Sequence, residues 1–500
     1  MSYQCLSSRS RRARATFRAA TVAALLLGVT SCRRTPETDP RFVAEWVHAW
    51  YGAIRVERLS PPVASRLTAY AMSALYGGLA AVHPTLRPLA GALRGAPELP
   101  RAEDGKVHDA TLVAVAAERV VVDSLLREGL ATTRAQLARL ADSLAAARIA
   151  LGVDAETRTR SEALGQRIGL AIVAWSNTDG FAGTRGRPYE LPVGEGLWVN
   201  DSPASVYATQ NLSGASEFVA LDNPANQQRS GNVSDRGLIM SRPKAASAKT
   251  LPAANMAGAT EPYWREVRPF VLNSWQECPI PAPPAYSTDT TSELYRNARA
   301  VYDTKAALKP EQKTIAYYWA DNAGESGTPV GHWLSIASQL SSERHLSADA
   351  AVRLALATAV AQADAFIAAW GYKYQYNLLR PRTYIRRVID STWEPLIPTP
   401  PFPEHPAGHS TQSAAAAVAI TALIGAGPFH DSTSVAIGHS VRRFNSFVDA
   451  ANEAGQSRIY GGIHFPSGNE AGKVLGQCVG ARVAAIFGDS ARTAAGGGAR

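Results

Sequence analysis

The stretch FVAEWVHAWYGAI, residues 42–54, sets Phe42, Val43, Trp46, Val47, Trp50 and Ile54 at intervals of three and four. That is the spacing of one apolar face of an α-helix packed on a core. The pattern runs on to about Ala81 and returns between Ala110 and Ala174, a segment dense in Ala, Leu, Arg and Glu that reads as two or three long amphipathic helices. Residues 180–290 have another texture. GTRGRPYELPVGEG (183–196) and PIPAPPAYS (279–287) are rich in Gly and Pro and predict a long irregular excursion, of the kind that covers something. Helical spacing resumes after Thr291: Glu293 to Lys305, Pro310 to Ala320, His332 to Gln339, Ala348 to Trp370, His409 to Ala426, Ser432 to Asn452 and Asn469 to Phe487, with a Pro-rich loop at 397–408. No alternating block is long enough to build a sheet, and no solenoid-length repeat recurs. The expected fold is an all-α helical globule in one compact unit.

Composition agrees. Of 500 residues, 46% are hydrophobic and 19% charged, enough apolar side chain for a sizeable core and too little charge for global disorder. The formal net charge is +9, but Arg9, Arg11, Arg12, Arg14 and Arg18 face no acid in the first 31 residues, which leaves +4 on the rest. A body so nearly neutral, without Lys/Arg runs interleaved with aromatics, lacks the footprint of nucleic-acid binding.

The arginine-rich start leads into the apolar run Ala19 to Val29, which is long enough for an export signal and short of a membrane span. It closes on Val29-Thr30-Ser31-Cys32, which resembles a bacterial lipobox: cleavage before Cys32 and a lipid on its thiol, the chain's only expected membrane contact. The expected location is the periplasmic side of a membrane or the cell surface. The divisions are a signal peptide at 1–31, a linker at 32–41, an N-terminal helical region at 42–290, a catalytic helical region at 291–488 and a disordered tail at 489–500. Cys5 leaves with the signal, so Cys278 and Cys478 allow at most one intrachain disulfide, and four cysteines exclude a cysteine-based zinc or iron–sulfur site.

Three segments in the last third carry the chemistry. WGYKYQYNLLRP (370–381) places Arg380 two helical turns after Lys373, so both project from one face about 10 Å apart along a helix. They are either a two-cation anion clamp or two solvated cations. PEHPAGHST (403–411) steps through Gly408-His409 into the alanine run 414–417, making Gly408 to Thr411 the start of a helix whose free amides favour an anion. His409 would then lie beside that anion, which raises its pKa and suits it to give a proton to oxygen. Alternatively, Ser410 or Thr411 merely caps the helix and His409 is a polar surface residue. In SRIYGGIHFP (457–466), Gly461 and Gly462 let the backbone turn so that Arg458 and His464 face one site, the imidazole as nucleophile or metal ligand. His48, His83, His108, His332, His345, His405, His430 and His439 read as solvated or core-bonded rings.

In this order the segments resemble the K-x6-RP, PSGH and SR-x5-H pattern of the superfamily uniting type-2 phosphatidic acid phosphatases with vanadium-dependent haloperoxidases. The resemblance covers about Lys305 to Phe487, and the helical texture upstream is compatible with the longer haloperoxidase branch. It implies a helical bundle in which Lys373, Arg380, the Gly408 amide and Arg458 hold the oxygens of vanadate or phosphate. It also implies that His464 bonds the central vanadium axially, that His409 is the acid/base and that Lys373 polarises bound peroxide. Trp370 and Phe402 fall where chloroperoxidase-like members line the halide site, with core packing as the other reading. WADN (319–322) and TPVGHW (328–333) look like the WADG and TPPGHW stretch of bacterial haloperoxidase-like proteins, and make Asp321 a candidate to pair with a site arginine.

Two positions depart from the pattern. Its serine is Ala407, which removes one hydroxyl donor to the oxyanion, and the phosphatase aspartate four residues after the last histidine is Gly468, where Asn469 or Glu470 would have to substitute. The resemblance implies a vanadate-dependent haloperoxidase that turns halide and hydrogen peroxide into hypohalous acid or a halogenated organic acceptor. The alternatives are an acid phosphatase working through a phosphohistidine and a non-catalytic oxyanion-binding lipoprotein.

Overall fold

The Arg41–Glu57 helix buries Phe42, Val43, Trp46, Val47, Trp50 and Ile54, the face its spacing predicts, mainly against the Thr328–Glu343 helix. This arrangement comes from a computed structural model that describes residues 35–201, 209–211, 215–217 and 258–488. The export signal, Cys32, most of 202–257 and the tail after Gly488 lie outside the described residues. These comprise thirteen α-helices and two short antiparallel hairpins, Thr209–Asn211 with Ala215–Glu217 and Phe429–Asp431 with Arg442–Phe444. The fold is all-α.

Everything is arranged around the Ala348–Tyr376 helix. It is apolar and long enough to cross a membrane, but the Pro61–Ala80, Thr328–Glu343, Gly408–Ile424 and Pro466–Phe487 helices cover it, and nearly all of its apolar window is buried inside the protein. The described residues from Thr35 onward form one unit, and a single main core joins residues from before and after 290. The Pro466–Phe487 helix comes close to Gly408–Ile424 because Gly472, Gly476 and Gly480 stand at every fourth position. A Cβ on Gly472 would lie 2.7 Å from the Ala407 carbonyl, so backbone rather than side chain sets this spacing.

The described end of the irregular excursion is a strap over the central helix. The Asp364 carboxylate, fully buried, accepts the backbone N–H groups of Phe270, Val271 and Leu272 at 2.6, 2.8 and 2.9 Å. Further along, Cys278 is disulfide-bonded to Cys478 on the Pro466–Phe487 helix, closing a loop of 200 residues. The two cysteines that sequence left undecided therefore meet.

Two local expectations are corrected. Lys373 and Arg380 do not share a helix: the helix ends at Tyr376, Asn377 takes a left-handed φ of 51°, and Arg380 is the extended cap before Pro381–Val388. Pro381 accounts for the extended Arg380, since the residue before a proline is driven out of the helical region, and the left-handed Asn377 has already ended the helix. Ser432 to Asn452 is not one helix either. Asp431 Oδ1 accepts the Thr433 N–H, Gly438 takes a φ of 93°, the Arg442–Phe444 strand of the hairpin follows, and the Phe447–Gly461 helix starts only after its Ser446 cap.

Candidate active site

The three segments converge. Gly408 and His409 begin the Gly408–Ile424 helix, Arg458 lies in the last turn of Phe447–Gly461, and Gly462, at a φ of 78°, turns the chain so that His464 faces back toward them. Gly408, His409, Arg458 and His464 line one cavity of about 150 Å³, together with Trp370, Phe402 and Asp321. Pro61, Phe366, Ile397 and Pro398 to Pro401 give it an apolar side, and Arg58, Asn322 and Glu325 add polar groups to the lining. Trp370 and Phe402 are tilted against each other at 4.9 Å, and Trp370 Nε1 donates to the Thr260 carbonyl of the strap.

Lys373 and Arg380 are fully buried one layer behind this lining. Expected to reach the oxyanion, Lys373 Nζ instead donates to the carbonyls of Pro403, Glu404 and Pro406 at 3.0, 2.9 and 2.5 Å. Burial and the neighbouring Arg380 press its pKa well down. Three carbonyl acceptors, however, need three N–H donors, and only the ammonium has them. Arg380 donates from Nε to the Phe402 carbonyl and from Nη1 to the Ile463 carbonyl, and Nη1 lies 3.1 Å from His464 Nε2. Phe402 lies under both cations, 5.2 Å from Lys373 Nζ and 4.9 Å from Arg380 Cζ.

The residue that sequence reasoning missed is Glu404. Its Oε1 is 2.8 Å from His464 Nδ1 and accepts the Phe465 N–H at 2.9 Å, with the carboxyl wholly buried. A Cβ added to Gly468 would lie 2.6 Å from Oε2 and nearer still to Oε1. The space left by the missing aspartate is thus filled by a carboxylate from another segment, five residues before His409. Neither proposed substitute serves: Asn469 is bonded to Ser410, and Glu470 pairs with Lys473 on the surface at 2.8 Å. Burial raises the Glu404 pKa to about 7 against the pull of Lys373 and Arg380. The absence at 468 was the visible clue, but nothing local to 404 showed where the replacement came from.

The two histidines differ at Nε2. Burial, then Arg380 and Lys373, hold His464 well below the ordinary histidine pKa, so the ring is neutral. Nδ1–H goes to Glu404 and the Nε2 lone pair faces the Arg380 donor. Burial first, and then the cationic Arg458, push His409 well down; the rise expected beside an oxyanion belongs to the occupied site. The ring bonds the Trp319 backbone, while Nε2 is buried without a partner. The Trp319 carbonyl also accepts Arg458 Nη2 at 2.6 Å.

Asp321 was expected to fix a site arginine. Its carboxylate takes His332 instead, with Nδ1 at 3.0 and 3.1 Å, and His332 Nε2 is 2.8 Å from Asp431. Burial alone would depress the His332 pKa, but the two carboxylates prevail and raise it to about 10.

Three buried cations, Lys373, Arg380 and Arg458, surround the site with Glu404 as the carboxylate bonded into it. Among the described residues no group of three or more His, Cys, Asp or Glu could hold a metal cation. The free helix N-terminus at Gly408, the cationic excess and the orphaned His409 Nε2 suit a compact oxyanion, and vanadate fits that donor set.

Residues 353–492 match the family model for the VCPO second helical-bundle domain. A bacterial vanadium-dependent iodoperoxidase of known crystal structure is similar over 92% of this chain and 100% of that one, with a TM-score of 0.74 and 29% identity. Apo- and holo-type crystal structures of bacterial vanadium-dependent chloroperoxidase are similar in fold. Their TM-scores are 0.58 and 0.57 at 16% and 17% identity, covering 86% and 90% of this chain and 94% and 93% of theirs. No curated protein sequence matches the chain.

Proposed function

We propose that this chain, which belongs to the vanadium haloperoxidase superfamily, oxidises halide with hydrogen peroxide on a bound vanadate. The observation that carries the reading is the pair of neutral imidazoles lining one cavity beside a helix N-terminus and Arg458. When bound, vanadate supplies Lewis-acid activation of peroxide without changing its own oxidation state. His464 Nε2 would hold the vanadium once the Arg380 Nη1 donor, now 3.1 Å from it, turns away, and the Gly408 amide and Arg458 would hold its oxygens, while Arg380 and Lys373 add charge from behind. His409 Nε2 takes a proton from hydrogen peroxide and returns it to the departing water, so that peroxide, halide and one proton give hypohalous acid and water. Trp370 and Phe402 wall the site against bulk water on the side where the halide would approach. We further place the protein outside the cytoplasm, tethered through a lipid on Cys32, with any organic acceptor meeting the oxidant at the apolar rim.

A second reading gains from Glu404. A buried carboxylate on His464 Nδ1 is what a nucleophilic imidazole needs, so Gly468 no longer counts against an acid phosphatase. One experiment separates the two. The purified chain is loaded with orthovanadate and assayed with peroxide and bromide or iodide on a phenolic dye, then assayed vanadate-free with a phosphomonoester. Vanadate-dependent halogenation supports the proposal. A folded protein that only hydrolyses phosphomonoester, or only binds the oxyanion, refutes it.

A further inference from the structure

His332 joins three elements and touches both ends of one short segment at the cavity. It lies on the Thr328–Glu343 helix and is wholly buried, with Nε2 anchored to Asp431 in the Phe429–Asp431 strand. Its ring stacks on the Trp319 indole, centroids 4.5 Å apart and planes 15° from parallel, and its Nδ1 bonds Asp321. Between these two residues the chain has just left the Pro310–Tyr318 helix and lines the cavity with Ala320 and Asp321. Asp321 has a φ of 48°, a left-handed conformation that Asp adopts more readily than most residues with a Cβ. The bonds to His332 and to Ser326 Oγ stabilise it here.

We propose that His332 is a positioning residue for the acid/base histidine: by clamping Trp319 and Asp321 it holds the Trp319 carbonyl where that oxygen orients both His409 and Arg458. That carbonyl accepts Arg458 Nη2 at 2.6 Å and bonds the His409 ring. Because His409 Nε2 is the ring nitrogen without a partner, Nδ1 is the one that donates, and the lone pair that must handle protons is left on the cavity side. A carbonyl displaced by a fraction of an ångström would release the tautomer and loosen the Nη2 end of the guanidinium, whose Nε stays on Ser457 Oγ at 2.9 Å. Asp321 therefore acts on Arg458 indirectly, through His332 and the Trp319 backbone.

The inference deepens the haloperoxidase reading and rests on it for the role of His409, but its test needs no turnover. In the full chain labelled with 15N-histidine, long-range 15N–1H spectra report the His409 tautomer, assigned with His409→Asn, and calorimetry with orthovanadate gives the affinity. Wild type should show the Nδ1–H form alone. His332→Gln should populate both tautomers and weaken orthovanadate about 10- to 100-fold, with Asp431→Asn shifting both in the same direction by less. A purely structural His332 would lower the melting temperature alone. An unchanged tautomer and affinity in the folded variant overturn the proposal, and if His332→Gln does not fold, Asp431→Asn decides. Failure of halide oxidation with the tautomer shift intact would refute the function and not this geometry.

Discussion

Exchanging the carboxylate between Glu404 and Gly468 tests how the site is supported. In Glu404→Ala, His464 Nδ1–H and the Phe465 N–H lose their acceptor in a place closed to water. Each unsatisfied buried donor costs about 1–3 kcal/mol. Lys373 and Arg380 also lose the charge that Coulombically opposes them, an effect of about 3–5 kcal/mol where a buried charge is left uncompensated. These figures overlap rather than add, so a loss of roughly 3–5 kcal/mol in denaturant unfolding is expected. A ligand histidine deprived of its orienting partner should bind orthovanadate about 10- to 100-fold more weakly, about 1.4–2.7 kcal/mol.

Gly468→Asp alone should also harm the protein, since its Cβ would crowd the Glu404 oxygens and bring a second carboxylate to the first. Combined with Glu404→Ala its sign should reverse. The Cβ of residue 468 stands off from the present carboxylate by about the two-bond reach of an aspartate to its own oxygens, so the new oxygen lands where the old one was. Calorimetric affinity for orthovanadate is the assay, with circular dichroism confirming the fold. If the folded double variant binds no better than Glu404→Ala, the exchange is refuted.

Ala407→Ser restores the missing hydroxyl beside Gly408 at a helix N-cap, and should tighten orthovanadate by about 1–3 kcal/mol, measured by the same titration. His332, raised from 6.5 to about 10 in the fold, contributes stability that is fully present below pH 6.5 and lost as pH rises through 10. Urea midpoints of wild type should therefore fall across that window, and those of His332→Gln should stay flatter. Asp364, raised by burial from 3.8 to about 6, has the same sign in a lower window: the native state binds its proton more tightly, so stability declines as pH rises from about 4 to 6, a slope that Asp364→Asn should remove. Cys478→Ser opens the 200-residue loop and should cost about 2–5 kcal/mol, read as a lower melting temperature that reductant reproduces in wild type.

What local sequence determined is what short-range periodicity and residue chemistry encode. The apolar faces of residues 42–54 and of the long helices are set by spacing, and Gly408-His409 and Arg458 to His464 are set by motifs only a few residues long, so the all-α class and the chemical groups at the cavity's inner end were legible. Tertiary structure alone decided the rest, because each case depends on groups distant in the chain. Pro381 turned Arg380 off the helix toward His464. Lys373 was taken by three carbonyls that fold over it. Glu404 entered the space above Gly468, and His332 was fixed by acids 11 residues before it and 99 after. Burial makes these partnerships strong, and a linear pattern cannot say which distant groups will be buried together.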